Sequence, residues 1–221
     1  MPKAWLFDLD DTLFEASAGM LTAIHIRMDR FIAERFSISL EEASNIRARY
    51  WRQYGSTFIG LWKHHRIDPI EFLTVTHDFD PSEYIHSIGS PARDIGALVG
   101  KKIVYTNGPR PYAEKVVAAL GLGAVINDMI TSFDMKLFGD WRPKPSASYM
   151  RSFCAYYGWV PSEVCFLDDS LMNLKAVKRL GVRTVWCTGY RFKHKRLTHR
   201  LRLPYIDEQV KHIRELRRIS L

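Results

Sequence analysis

The sequence predicts an α/β protein, with a parallel sheet as its core and a helical cap inserted after the first strand. From residue 101 onward, short apolar runs alternate with helical stretches, which is typical of a parallel sheet covered on both faces. Residues 15–88 instead show helical patterns nearly free of strand signals. We therefore expect a core formed by residues 1–14 and 89–221, and a helical cap formed by residues 15–88.

Local signals mark the first elements. Residues 3–7 (Lys-Ala-Trp-Leu-Phe) have the apolar character of a short buried strand that joins the sheet. Within the cap, Ser39-Leu-Glu-Glu42 is a capping box that opens a helix. Asp68-Pro69 places a proline at the first position of another helix, and Ser90-Pro91 starts a further one.

After residue 100, apolar runs predict strands, and stretches that end at glycine, such as Gly121, predict helices. In chain order we expect a strand and loop over 101–108, a helix over 113–121, a strand over 124–132, a helix over 146–157, a strand over 163–169, a helix over 171–181, a strand over 182–187, a late edge strand at 205–206 and a C-terminal helix over 208–219.

The composition predicts a globular protein. Of the 221 residues, 47% are apolar and 25% are charged, and no charge-free stretch reaches the length of about 18 residues that a membrane span needs. The N-terminal apolar run is too short and too acidic for a secretory signal. Cys154, Cys165 and Cys187 lie in apolar segments without disulfide or zinc spacing, as in a reducing compartment. We therefore expect a cytoplasmic protein without a membrane partner, either a monomer or a homodimer.

The net charge of +8 is concentrated near the C-terminus, because residues 190–221 contain ten Lys/Arg and three Asp/Glu. The basic residues of 191–202 could follow nucleic-acid phosphates, but they lack the interleaved aromatic residues of a single-strand platform. A solvated loop, or long-range attraction of an anionic substrate, also explains the charge. We therefore do not expect nucleic acid as a partner.

Polar residues follow three predicted strands at their carboxyl ends. They are Asp8 and Asp10, Thr106 and Asn107, and Asp168 and Asp169. In open parallel sheets ligands bind at this edge, so we expect the three groups to share one crevice. Lys144 lies between two prolines just before a helix, which restricts its backbone.

Four carboxylates at one edge require a cation. Two unit charges about 4 Å apart cost roughly 4 kcal/mol at an effective dielectric constant of 20. Oxygen ligands without a His or Cys cluster favour Mg²⁺, and Mg²⁺ with Lys144 would attract an anion such as phosphate. Thr106 can donate its hydroxyl to that anion, and the Asn107-Gly108 turn can donate backbone N–H groups.

The first two aspartates have the spacing for phosphoryl transfer. Asp8 could attack phosphorus and form an aspartyl-phosphate. Asp10 lies two residues along, on the same side of an extended strand, and could protonate the leaving oxygen and later deprotonate water. The alternative is that these aspartates only cap the turn after the strand, and we expect that role for Asp11.

These motifs resemble those of the haloacid dehalogenase-like hydrolase superfamily. Asp-Leu-Asp-Asp-Thr-Leu (8–13), Thr106-Asn107, Lys144 and Phe-Leu-Asp-Asp-Ser-Leu-Met-Asn (166–173) occur in the family's order and span nearly the whole chain. The resemblance implies a Rossmann-like core with a helical cap. It implies the following roles: Asp8 as nucleophile, Asp10 as general acid/base, Thr106 and Lys144 as phosphoryl ligands, and Mg²⁺ held by the side chains of Asp8 and Asp168 and the main-chain carbonyl of Asp10, with Asp169 assisting or holding a metal-bound water.

Asp10 favours phosphate esters, because the related dehalogenases lack an acid at that position. Phosphonate-cleaving relatives also lack it and use a cap lysine, and the one lysine of this cap is Lys63. The cap stretches 50–65 and 75–78 are similar to those of pyrimidine 5′-nucleotidases, which implies nucleoside 5′-monophosphates such as UMP or CMP as substrates. Ile59 stands where an arginine is common in that group.

Substrate contacts are expected at the helix break Gly55-Ser56-Thr57, through Ser56 and Thr57. Three alternatives remain open: a phosphatase of sugar phosphates or other small metabolites, a phosphomutase, and a non-catalytic protein that binds nucleic acid through its basic tail.

Overall fold

The computed structural model describes residues 2–85, 91–190 and 203–218. Its strands are β1 (Ala4–Phe7), β2 (Lys101–Tyr105), β3 (Asp128–Ile130), β4 (Lys136–Leu137), β5 (Asp140–Trp141), β6 (Val164–Asp168), β7 (Arg183–Cys187) and β8 (Glu208–Val210). Within these described ranges, six strands form one parallel sheet in the order β3-β2-β1-β6-β7-β8, and β4 and β5 form an antiparallel hairpin.

The helices divide into two groups along the chain. Between β1 and β2 lie α1 (Met20–Phe36), α2 (Leu40–Tyr54), α3 (Thr57–His65), α4 (Pro69–Thr76) and α5 (Pro91–Gly96), and after β2 lie α6 (Arg110–Ala119), α7 (Ala147–Tyr156) and α8 (Leu171–Lys178). The capping box of Ser39 and Glu42 opens α2, and Asp68 caps α4 with Pro69 at its first position, as predicted. No helix in the described ranges combines the length and apolar content needed to cross a membrane.

Strand β1 is central, and its four residues are all buried. It pairs with β2 and β6 in register, so that Phe7 lies opposite Val104 and Leu167. Because all three strands run in the same direction, the residues that follow them meet at one edge. This pairing brings the predicted polar groups together.

The sheet is covered on both faces, because alternate residues of each strand point to opposite sides. On one face, Phe7 and Leu167 belong to an apolar cluster with Val116 of α6. On the other face, Leu6 and Phe166 belong to a cluster that includes residues of α7 and α8. The parallel α/β core expected from the sequence is therefore confirmed.

Helices α1 to α4 share a third apolar cluster. Ile32, Phe58 and Phe72 pack in it, together with Trp141 of the β4–β5 hairpin. The ring of Trp141 meets that of Phe58 edge-on, with their centroids 5.9 Å apart. The hairpin thus joins the core to the inserted helices, and nothing in the sequence predicted it.

The structure differs from the sequence predictions at the sheet edges. Strand β3 covers only Asp128–Ile130 of the predicted 124–132, because it pairs on one side only and a turn occupies its start. The late strand is Glu208–Val210, where a helix was predicted, because pairing with β7 satisfies its backbone. A 3₁₀ helix follows over Ile213–Arg218. The basic stretch 191–202 lies outside the described residues.

Tyr105, at the end of β2, buries a hydroxyl that has no hydrogen-bond partner among the described residues. We expect Tyr105→Phe to stabilise the protein by about 1 kcal/mol, because it removes the cost of desolvating that hydroxyl. The gain corresponds to a rise in Tm of about 2–4 °C. Calorimetry tests this, with Tyr149→Phe as the control, because the Tyr149 hydroxyl donates to the Asp134 carbonyl. A lower Tm for Tyr105→Phe would contradict the expectation.

Candidate active site

Asp8 lies directly after β1, and sheet pairing fixes its backbone. Its N–H donates to the carbonyl of Leu167 at 2.9 Å, which extends the β1–β6 ladder by one residue. Its Oδ2 accepts from the Thr12 hydroxyl at 3.3 Å, while the side chain is largely buried. Asp8 is therefore held at the carboxyl edge of the sheet, where the sequence predicted it.

Lys144 reaches into the same place from the loop before α7. Its buried Nζ donates to Oδ1 of Asp8 at 2.5 Å and to Oδ2 of Asp168 at 2.9 Å. The Asn107 amide holds the backbone of this loop, because Nδ2 donates to the Lys144 carbonyl and Oδ1 accepts from the Lys144 N–H. Three strand ends thus contribute to one buried ionic cluster.

Asp168, at the end of β6, is fully buried and well supplied with donors. Besides Lys144, it accepts from the N–H of Ser170 at 2.7 Å and from Nδ2 of Asn173 at 3.0 Å. Its neighbour Asp169 accepts at its carbonyl from Nε1 of Trp186. These bonds fix the turn that follows β6 and the direction of the Asp168 carboxylate.

Carboxylate oxygens of Asp8, Asp168 and Asp169 lie within 4.8 Å of one another. One lysine does not balance three carboxylates, and an all-oxygen donor set suits a hard divalent cation such as Mg²⁺. The residues present therefore fit the metal that the sequence predicted. The side chain of Asp10 is not part of this group, and the predicted role of its main-chain carbonyl stays a prediction.

The pKa values reflect the burial of these charges. Burial alone would lower the pKa of Lys144, but the carboxylates of Asp168 and Asp8 outweigh it and raise that pKa well above its usual value. Burial, followed by the charge of Asp8, raises the pKa of Asp168, against the opposing effect of Lys144. The lysine therefore stays charged, and it contacts both Asp8 and Asp168.

Asp10 is half-buried, and its Oδ1 accepts a hydrogen bond of 2.5 Å from the Tyr112 hydroxyl. Burial, and then the negative charge of Asp8, raise the pKa of Asp10 from 3.8 to about 7, while the Tyr112 bond opposes the rise. A carboxyl group with such a pKa is partly protonated near neutral pH and can both give and take a proton.

Thr106 and Asn107 occupy the end of β2, and their side chains are used differently. The Thr106 hydroxyl accepts from the N–H of Gly108 at 3.0 Å, which leaves its proton available for an anion. The Asn107 side-chain amide is bonded to the Lys144 backbone, and the N–H of Gly108 donates to Thr106, so the predicted substrate contact of Asn107 is left to its own backbone N–H.

The predicted helix break of the cap lies against the core. Gly55, with a φ of +75°, packs so closely on the Lys144 loop that an added Cβ would lie 2.8 Å from Cδ of Pro145. Thr57 donates its hydroxyl to the Arg47 carbonyl at 3.3 Å, within the helical block. The buried Ser56 makes no side-chain hydrogen bond to any described residue. Ser56 is therefore better placed than Thr57 for the predicted substrate contact.

Sequence reasoning missed two residues that support the site. Asn173, the last residue of the motif 166–173, donates to the Asp168 carboxylate. Its place in the first helical turn after a strand that ends in aspartate could have indicated this contact. Tyr112 lies 102 positions from Asp10, and no local pattern connects the two.

His77, which follows α4, is buried and neutral. Its Nδ1 lies 2.9 Å from the Leu73 carbonyl, so this nitrogen carries the proton. Burial lowers the pKa of His77 from 6.5 to about 4, against the opposing effect of that bond. The folded state therefore resists protonation, and stability is lost as the pH falls from about 6.5 to about 4.

We expect His77 to contribute a loss of about 3 kcal/mol, so the change in stability with pH should differ by that amount between the wild type and His77→Gln. The opposing effects of Asp10 and Asp168, whose pKa values are raised, are common to both proteins and cancel in the comparison. Urea unfolding at several pH values between 7 and 4 measures it. His64→Gln is the matched control, because His64 is exposed. Equal pH dependence in the wild type and His77→Gln would exclude His77 as the cause.

Comparison with known proteins agrees with this geometry. The family model described as haloacid dehalogenase-like hydrolase matches residues 2–181. Because this match covers most of the sequence, the chain belongs to the haloacid dehalogenase-like hydrolase family.

Individual relatives are distant. Phosphate metabolism protein 8 of Saccharomyces cerevisiae is 23% identical over 192 residues, 81% of this chain and 60% of the yeast protein. Validoxylamine A 7′-phosphate phosphatase of Streptomyces hygroscopicus subsp. limoneus is 30% identical over 91 residues, 41% of this chain and 39% of that protein. The chain thus matches less than two thirds of either relative. The crystal structure of CbbY from Rhodobacter sphaeroides in complex with phosphate has a TM-score of 0.63 at 18% identity, covering 98% of this chain and 96% of CbbY.

Proposed function

We propose that this protein is a Mg²⁺-dependent phosphomonoester hydrolase that acts through an aspartyl-phosphate on Asp8. The observation that carries the proposal is the buried cluster in which Nζ of Lys144 joins Asp8 and Asp168, with Asp169 beside them. A positive charge held between carboxylates, next to a proton carrier such as Asp10, suits the binding and cleavage of a phosphate ester.

In the first step, an Oδ atom of Asp8 attacks phosphorus while the bond to the ester oxygen breaks. Asp10 gives its proton to that oxygen, and the alcohol leaves. In the second step, Asp10 takes a proton from water, the water oxygen attacks phosphorus, and the bond to Asp8 breaks. Inorganic phosphate is released, and both aspartates return to their starting states.

The other residues bind and orient the phosphoryl group. Lys144 and the Thr106 hydroxyl would contact its oxygens, with the backbone N–H of Asn107. Asp8, Asp168 and Asp169, with the Asp10 carbonyl, would hold Mg²⁺. When bound, that ion would supply positive charge against the charge that develops in the transition state.

For the substrate we propose a nucleoside 5′-monophosphate, with UMP and CMP first, and for residues 15–88 the role of a cap over the site. Two observations support this: the resemblance of 50–65 and 75–78 to pyrimidine nucleotidase caps, and the packing of Gly55 on the Lys144 loop. Ser56 would then contact the substrate beyond its phosphate.

A second candidate is a phosphatase of another small phosphate ester. The observation that favours this candidate is the name of the Streptomyces relative, validoxylamine A 7′-phosphate phosphatase, because it names a substrate that is not a nucleotide. Both candidates use the same core residues and differ only in what the cap recognises.

Phosphate release tests the proposal, with UMP, CMP, AMP, GMP, glucose 6-phosphate and p-nitrophenyl phosphate as substrates, each with Mg²⁺ and with EDTA. Metal-dependent turnover that favours UMP and CMP supports the nucleotidase. Metal-dependent turnover with another preference keeps the mechanism and excludes the pyrimidine assignment. No turnover of any of the six overturns the proposed function.

The cap contact has its own test. Ser56→Ala should raise the KM of the preferred substrate and leave that of p-nitrophenyl phosphate unchanged. Ser44→Ala is the matched control, because Ser44 accepts a hydrogen bond from Arg47 of the same helix, α2. Its KM values should equal those of the wild type. Equal KM values for Ser56→Ala and the wild type on both substrates would exclude the contact.

A further inference from the structure

Tyr112 is a buried tyrosine in the first turn of α6, whose hydroxyl faces the proton carrier of the proposed reaction. That hydroxyl donates to Oδ1 of Asp10 at 2.5 Å. It also lies 2.8 Å from Sδ of Met20, but a hydroxyl has one proton, and a carboxylate is the better acceptor. The hydrogen bond to Asp10 is therefore the one that Tyr112 makes.

The ring of Tyr112 is held from several sides. His77 meets it edge-on with centroids 5.3 Å apart, and Phe79 lies at 6.2 Å. Below it, an added Cβ on Gly108 would come within 2.9 Å of the ring. Contacts from separate segments of the chain thus fix the ring, and a fixed ring gives its hydroxyl one direction.

A fixed donor restricts Asp10. An aspartate side chain can rotate about two bonds, and either oxygen can carry a proton. Because Oδ1 accepts from Tyr112, the proton that Asp10 gives to a leaving group belongs on Oδ2. Loss of the donor frees both rotations, and misplacement of a proton carrier by a fraction of an ångström lowers the rate of proton transfer.

We propose that Tyr112 is a positioning residue, which holds Asp10 so that Oδ2 transfers the proton in both steps. The proposal rests on the proposed function, since it assigns Tyr112 a role in that reaction. It predicts that loss of the Tyr112 hydroxyl slows the first step when the leaving group needs a proton, and slows that step little when it does not. The second step is the same for every substrate, so only the first step discriminates between leaving groups.

The test compares two aryl phosphates in the full chain with Mg²⁺. Phenolate needs protonation more than p-nitrophenolate does, so phenyl phosphate reports proton transfer. For Tyr112→Phe we expect kcat/KM, which reports the first step, to fall about 10- to 100-fold on phenyl phosphate, as for the loss of a hydrogen bond to a charged group, and less than about 3-fold on p-nitrophenyl phosphate. Tyr105→Phe, whose hydroxyl lacks a described partner, should change the ratio of the two kcat/KM values by less than about 2-fold.

A double-mutant cycle separates positioning from a structural role. In the Asp10→Asn background, Tyr112→Phe should cause no further loss on phenyl phosphate, because the residue acts through Asp10. Equal losses on both substrates, or the same loss with and without Asp10, would overturn the proposal. If the wild type hydrolyses neither aryl phosphate nor any of the nucleotides and glucose 6-phosphate tested above, the proposed function itself fails. Suppose instead that the wild type is active and that Asp10→Asn loses more activity on phenyl phosphate than on p-nitrophenyl phosphate. Equal losses on the two substrates in Tyr112→Phe would then refute the positioning role of Tyr112 and leave the proposed function intact.

Discussion

Asp8→Asn is expected to lower phosphate release by about 10⁴-fold or more, since removing a nucleophile leaves only binding and charge stabilisation. An amide oxygen is a poor nucleophile, although it can still accept the hydrogen bond that Lys144 gives to Oδ1 of Asp8, while the amide NH₂ can donate to the Thr12 hydroxyl in place of the bond at Oδ2. The substitution also removes one of three neighbouring carboxylates, so the folded state should lose little stability or gain some.

Asp11→Asn is the matched control in the same turn. Asp11 has a φ of +56° and accepts at Oδ1 from the N–H of Ser17, and asparagine tolerates that φ and can accept the same bond. Its activity should stay within about 3-fold of the wild type, in keeping with a turn role. Intact-protein mass spectrometry after rapid quenching should detect a phosphoryl adduct in the wild type and none in Asp8→Asn. Turnover by Asp8→Asn near the wild-type rate would remove Asp8 as the nucleophile.

The part of the candidate site that lies at the strand ends could be predicted from the sequence. Asp8, Thr106 and Asp168 each follow an apolar run that is recognisable as a buried strand, and parallel strands end at one edge. Their convergence therefore follows from local pattern and one topological rule. Lys144 was recognised for a different reason, because the prolines on both sides mark its loop.

What the sequence could not supply depends on contacts between distant segments. The donor to Asp10 is Tyr112, and an amphipathic helix start gives no sign of which acceptor a tyrosine meets. From the sequence, Ser56 and Thr57 are equally suitable substrate contacts, because both are hydroxyl residues of the same helix break. Only the fold shows that the Thr57 hydroxyl donates to the Arg47 carbonyl. Residues 208–210 fit a helical pattern, yet pairing with β7 makes them a strand. In each case tertiary structure decides between locally equivalent choices.

Lys144→Ala tests the charge balance of the cluster. The Nζ of Lys144 is buried between Asp8 and Asp168, and its removal takes away the cation that contacts these two carboxylates, with that of Asp169 close by. In EDTA, we expect the variant to be less stable by about 3–5 kcal/mol, the usual cost of breaking a buried ion pair from one side. Activity with Mg²⁺ should fall about 10²- to 10³-fold, because one charge opposite the transferring phosphoryl group is lost.

Mg²⁺ should restore stability to this variant more than to the wild type, because the ion and the lysine neutralise the same carboxylates. Urea unfolding of both proteins in EDTA and in Mg²⁺ measures the difference. Lys63→Ala is the control, since Lys63 is an exposed residue of α3 that lies over the ring of Tyr54, and its removal should leave activity and the Mg²⁺ response unchanged. If Mg²⁺ stabilises Lys144→Ala no more than the wild type, the lysine and the metal do not share the carboxylates, and the metal site must lie elsewhere. If Mg²⁺ raises the free energy of unfolding more in Lys144→Ala than in the wild type, the lysine and the metal neutralise the same carboxylates. The positive charge of Lys144 would then explain how the fold tolerates three neighbouring carboxylates before the metal binds.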